Sequence, residues 1–200
     1  MSIQVVPEAE RSPGVGEIAS LQRPTAKLPY TQRSSRLQAL AEGHAMADYL
    51  LWAADLVSAQ QTTAQALPLP EAESLYLGTV LQHSKKAPLH SAQWKRSVHW
   101  QTLLDQFLVQ LTEQPRMHTS AVQKALQSLQ SADAEQREMW ADALLTALRG
   151  EELSDAGALP EPGIAQLLWC ALSMYWRQLS SQLPASGQAE IGDLNHLCPV

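Results

Sequence analysis

The chain has 200 residues, 45% of them hydrophobic and 17% charged, which fits one domain, or one domain and a tail, with ample apolar material for a core. A net charge of −6 argues against a nucleic-acid binder, because affinity for phosphate needs clustered Lys and Arg. Leu and Ala dominate the aliphatic share, Val and Ile are few and Gln is abundant, a mixture that favours helix over strand.

Residues 1–30 are punctuated by Pro7, Pro13, Gly14, Gly16, Pro24 and Pro29 and read as an extended arm. A helical domain over 31–185 follows. Thr31 offers a cap, Leu37 and Leu40 share a face, and Gly43 is a stop. Met46, Tyr49, Leu50, Ala53, Leu56, Val57 and Gln60 recur at helical spacing, predicting a long amphipathic helix that Pro68 and Pro70 end. "EAESLYLGTVLQH" opens with acids in its first turn and predicts a shorter helix with Leu75, Val80 and Leu81 inward. Residues 97–113 predict a helix with Val98, Leu103, Leu104, Phe107, Leu108 and Leu111 for the core. Thr119 to Gln130 presents Val122, Ala125, Leu126 and Leu129. Ser131 or Asp133 then caps a helix with Met139, Ala143, Leu144, Ala147 and Leu148, and Gly150 stops it. Pro162 suits the first turn of a last helix running to about Gln182. The expected class is all-α: an irregular bundle of about seven helices with an extended N-terminal arm.

"LLWCALSMYW" (Leu167 to Trp176) is apolar nearly all the way round, so its helix is either central or covered by a partner. Partial exposure of this stretch would favour self-association, and the oligomeric state stays open.

Little in the chain suggests a reaction. Gly14 and Gly16 lack the strand and helix a phosphate loop requires. Asp133, Glu135, Glu138 and Asp142 fall at helical spacing and could hold a metal or form a solvated face; Asp48 and Asp55 are read the same way. His99 and Asp105 would make a hydrolytic pair only with poor geometry, since six residues of helix separate them. The expectation is a protein that is not an enzyme.

Charge and aromatic residues point instead to contact. Ser74 to Leu104 holds no acid but carries Lys85, Lys86, Lys95 and Arg96 with His83, His90 and His99, either a solvated loop or a docking site for a negative partner. Trp94, Lys95, Arg96, His99 and Trp100, and the helix end Tyr175, Trp176 and Arg177, are candidate partner-binding residues, because Trp, Tyr and Arg dominate interface energetics. The alternative for Trp100 and Trp176 is that they face each other in the core. No bilayer-spanning run and no signal-peptide pattern is read, so the expected location is cytoplasmic, without membrane insertion.

Two cysteines, Cys170 and Cys198, make no disulfide framework. Cys170 lies in the apolar stretch, where a thiol behaves as a small hydrophobe. Cys198 opens "CPV", the start of a Cys-x-x-Cys knuckle, with His196 beside it; a tetrahedral site needs four ligands, so alone it holds no structural metal. Residues 186–200 read as a linker and the start of a Cys-rich module whose remaining thiols would lie beyond Val200.

"ADYLLWAADLVSAQ", "HWQTLL", "ALSMYWRQLSSQLP" and the terminal "CPV" resemble, in order and spacing, the formate dehydrogenase accessory proteins of the FdhE type. The resemblance covers the chain from Leu37 on. It implies a helical N-terminal domain followed by rubredoxin-like modules that bind iron or zinc. It also implies a cytoplasmic maturation or chaperone role on the catalytic subunit of a respiratory formate dehydrogenase before export. Cys198 matches the family's first metal-side cysteine, so no cofactor is expected in this chain, with iron or zinc in the full-length family. A second reading is the scaffold of a rubredoxin-like metal or redox protein.

Overall fold

A computed structural model describes residues 30–83, 89–92, 94–113, 119–153 and 158–183. The N-terminal arm and the 186–200 module, with His196 and Cys198, lie outside these residues. Within them are seven helices and no strand: α1 (Tyr30–Ala41), α2 (Ala47–Ala66), α3 (Glu71–His83), α4 (His99–Thr112), α5 (Ser120–Ser131), α6 (Ala134–Leu148) and α7 (Pro162–Ser181). No helix among the described residues is long and apolar enough to cross a membrane.

α7 is the axis: α2, α4, α5 and α6 all pack on it, α4 also meets α2 and α5, and α1 lies along α2. The expected stripe of α4 is inward: Leu103, Leu104, Phe107, Leu108 and Leu111 are fully buried. Leu167, Leu168 and Leu172 of α7 oppose them in one core cluster. Each such side chain contributes about 1.5–3 kcal/mol by leaving water. Trp169 is the exposed residue of the apolar stretch.

Several ends follow their local chemistry. Thr119 caps α5 by accepting from Val122 N, and Asp133 Oδ1 caps α6 by accepting from Gln136 N at 2.8 Å. Pro162 occupies the first turn of α7. Gly43 and Gly150, at φ 69° and 70°, follow α1 and α6 in the left-handed region that glycine adopts without strain. α1 begins at Tyr30, one residue before Thr31; Tyr30 is buried, with the Arg177 guanidinium 5.7 Å from its ring centre.

The short helices correct the expected registers. In α3, Leu75 points to water and Leu77 into the core. In α6, Met139 and Leu148 are exposed while Ala141 and Leu145 are buried. Met46 and Tyr49 at the start of α2 are exposed, as is Val98, which precedes α4. Each of these segments has more apolar positions than its neighbours can cover, so packing selects among the possible stripes.

Buried polar ties fix the helices to one another. Ser34 Oγ donates to Ala54 O, joining α1 to α2, and Gln60 Nε2 donates to Cys170 O, joining α2 to α7. Arg137 donates through Nε and Nη2 to Leu129 O and through Nη1 to Asp105, so α6 is tied to the end of α5 and to α4. Satisfying buried donors in this way specifies one arrangement of helices.

Candidate functional site

The two aromatic segments singled out in the sequence, 94–100 and 175–177, meet inside the molecule. Residues 94–98 form a non-helical strap entering α4, laid across the second half of α7. Trp94 Nε1 donates to Tyr175 Oη at 3.0 Å, and the Ser97 amide donates to the same oxygen at 3.3 Å. Tyr175 donates its proton to Glu73 Oε2 of α3 at 2.9 Å, while Ser97 Oγ donates to Glu73 Oε1. Ser97 Oγ in turn accepts from the His99 amide. His99 Nε2 meets Gln178 Oε1 at 2.9 Å, and Gln178 Nε2 donates to Leu67 O. Tyr175 stands edge-on to Trp176 with centroids 5.4 Å apart, and Trp176 Nε1 donates to Leu89 O. Burial pushes the Tyr175 phenol above its usual value, and the Trp94 hydrogen bond only partly offsets this.

Arg96 faces α6. Its side chain is 5% exposed, and Nη2 donates to Glu138 and Asp142, while the guanidinium lies 5.9 Å from the centre of the Trp100 ring. Trp100 Nε1 also donates to Glu138, at 2.9 Å. Of the four acids at helical spacing, Glu138 and Asp142 therefore clamp an internal arginine, and Asp133 is a helix cap. Among the described residues no group of three or more His, Cys, Asp or Glu is placed to hold a metal ion.

This geometry corrects the surface expected from composition. Trp94, His99, Trp100 and Tyr175 are buried, Arg96 is turned inward, and Trp176 and Arg177 are half-buried; Lys95 is exposed. Trp100 and Trp176 find different polar partners, Glu138 and Leu89 O. Lys85 and Lys86 lie outside the described residues, so the basic segment shows Lys95 as its exposed cation among those described. His99 and Asp105 are directed apart, to Gln178 and Arg137.

Glu73, Ser97 and Gln178 were missed, and Glu138, expected on a metal or solvated face, is instead the partner of Arg96 and Trp100. One of them carried a signal: Glu73 lies four residues before Leu77, on the stripe that α3 turns inward, so an acid there calls for internal donors. Cys170 is buried, and burial pushes its thiol up to about 12, which leaves it protonated and unreactive at neutral pH. A groove of about 380 Å³ lies elsewhere, between α2, α5 and the start of α7, lined by Trp52, Val122, Gln166 and Leu167.

The family model described as FdhE, N-terminal, matches residues 18–193. The chain is 38% identical over 208 residues to a protein FdhE homolog of Edwardsiella ictaluri and 34% identical over 209 residues to one of Yersinia pestis. Each alignment covers all of this chain and 63% of the relative, so the chain spans less than two thirds of their length. The crystal structure of the FdhE protein from Pseudomonas aeruginosa matches with a TM-score of 0.67 at 29% identity, over 86% of this chain and 57% of that one.

Proposed function

This chain belongs to the FdhE family, and from that premise we propose that it is an accessory protein for the assembly or activation of a respiratory formate dehydrogenase. It binds the catalytic subunit in the cytoplasm before export and catalyses no formate oxidation itself. The observation that carries this reading is the family match over residues 18–193, supported by the likeness of 86% of the chain to a solved FdhE protein. Metal binding, with iron or zinc held by cysteines, belongs on this reading to the part of the longer relatives that this chain does not span. Cys198 would then be its first ligand.

Contact with the client falls to groups that reach water. Lys95 and Val98 are exposed on the strap that carries the buried Trp94 and Arg96, so the strap's inner face sets the position of its outer face. The test is co-elution of the purified chain with the formate dehydrogenase catalytic subunit on size exclusion. A stable complex is expected with the unaltered chain, weakened about tenfold or more by Lys95→Glu with Val98→Asp. No complex with the unaltered chain, or formate-dependent dye reduction by it alone, contradicts the proposal. Undiminished binding by the double variant removes the strap as the contact.

A further inference from the structure

α3 differs from the other helices in how it is held. Among the described residues it makes no extended contact with another helix. Leu77 is its one fully buried side chain among those described, and Leu75, Tyr76 and Thr79 face water. Val80 packs half-buried against the core, and the other ties are directional: Tyr76 lies against Trp94 with centroids 5.4 Å apart, Ser74 Oγ reaches Gln182 at 3.5 Å, and Glu73 accepts from two hydroxyls.

Glu73 sets where the two hydroxyl protons behind it point. An ionised carboxylate only accepts, so Tyr175 and Ser97 both point their protons at it. The lone pairs of Tyr175 are thereby left to accept from Trp94 Nε1 and Ser97 N. A carboxamide has a single oxygen. Placed at 73, it would turn its NH₂ toward one of the two hydroxyls and leave that hydroxyl's proton without its acceptor. On the near side of α3, Gln178 fastens Leu67 O to α7 and Leu69 packs half-buried against the core, so the chain is held through Leu69 and a pivot for α3 falls at Pro70, outside its first turn.

We propose that α3 is a flap that opens as a unit from the helical body about Pro70, and that the Glu73 carboxylate is the clasp that closes it over the Trp94–Tyr175 cluster. Opening uncovers two large aromatic side chains with His99 beside them, the residue types that dominate protein interfaces. The flap does not depend on which client the body recognises.

Hydrogen exchange of the whole chain, read by mass spectrometry of its peptides, tests this. Glu73→Gln is expected to speed exchange in 71–80 and 94–98 by a factor of about ten or more, leaving α4 and α7 unchanged. Ser97→Ala, which removes one of the two donors to the clasp, is expected to give the same pattern at a smaller factor. Unchanged exchange in α3, or an equal rise in α4 and α7, overturns the proposal. So does loss of the helical fold in Glu73→Gln, because a clasp on a flap does not support the body.

Discussion

α7 meets four other helices and buries nine residues along its length, whereas α3 buries Leu77 among its described side chains and leans on a polar clasp. Both are rich in apolar residues, so composition alone does not separate them. What separates them is the kind of grip. Apolar burial scales with area and tolerates small shifts, so a helix enclosed on several sides holds through many contacts. A hydrogen-bonded clasp is directional and rests on a few atoms, and losing one partner leaves the others buried without a mate. The centre of the molecule is therefore built for permanence and its edge for local opening.

The sharpest way to break this contrast is to cut into α7. Leu172→Ala should cost about 2–5 kcal/mol in urea denaturation, because the residue is fully buried and its neighbours are fixed on several helices. A loss below about 1 kcal/mol would mean that α7 is not the axis. Tyr175→Phe keeps the ring and removes the oxygen that serves Trp94, Ser97 and Glu73. It should cost about 1–3 kcal/mol, with little change in helical circular dichroism.

Alkali probes the buried side of the comparison. The Cys170 thiol is held up at about 12 in the folded chain against an ordinary 9.0, with burial as the main cause. Below pH 9 both states keep the proton and this group leaves stability unchanged. Above it the unfolded chain gives the proton up and the folded chain does not, so stability falls as pH rises from 9 toward 12. At pH 10 the loss from this group is about 1 kcal/mol, measurable as a lower urea midpoint and reduced by Cys170→Ala. The phenols of Tyr30 and Tyr175, both pushed up by burial, add to the same trend at higher pH. The smallest effect belongs to α3: Leu75→Ala, at a residue 67% exposed, should change stability by less than about 0.5 kcal/mol.

The same contrast explains what could be read in advance. α4 and α5 were legible because their stripes admit one inward face, α7 because a helix apolar nearly all round must be enclosed, and Gly43, Thr119, Asp133, Gly150 and Pro162 mark ends of α1, α5, α6 and α7 chemically. The registers of α3 and α6 were not, because Leu75 and Leu77, or Met139 and Leu145, are equally apolar and only the neighbouring helices choose between them. The aromatic residues of the site were picked out by type; Trp94 and Tyr175, expected at a contact surface, are buried, while Trp100 takes the core placement held open for it. Trp94 lies in a non-helical strap where no period signals burial, and Glu73, Glu138 and Gln178 come from three other stretches of chain. Family membership was legible through the order of several weak motifs, none of which carries chemistry alone.

The denaturant dependence of amide exchange in the unaltered chain tests the division between axis and flap most directly. Amides of α7 should exchange only through global unfolding, with a steep dependence on urea, while those of α3 exchange faster and with little dependence on it. If both sets merge on a single steep line from the lowest urea concentration, the chain opens as one unit and the division is wrong.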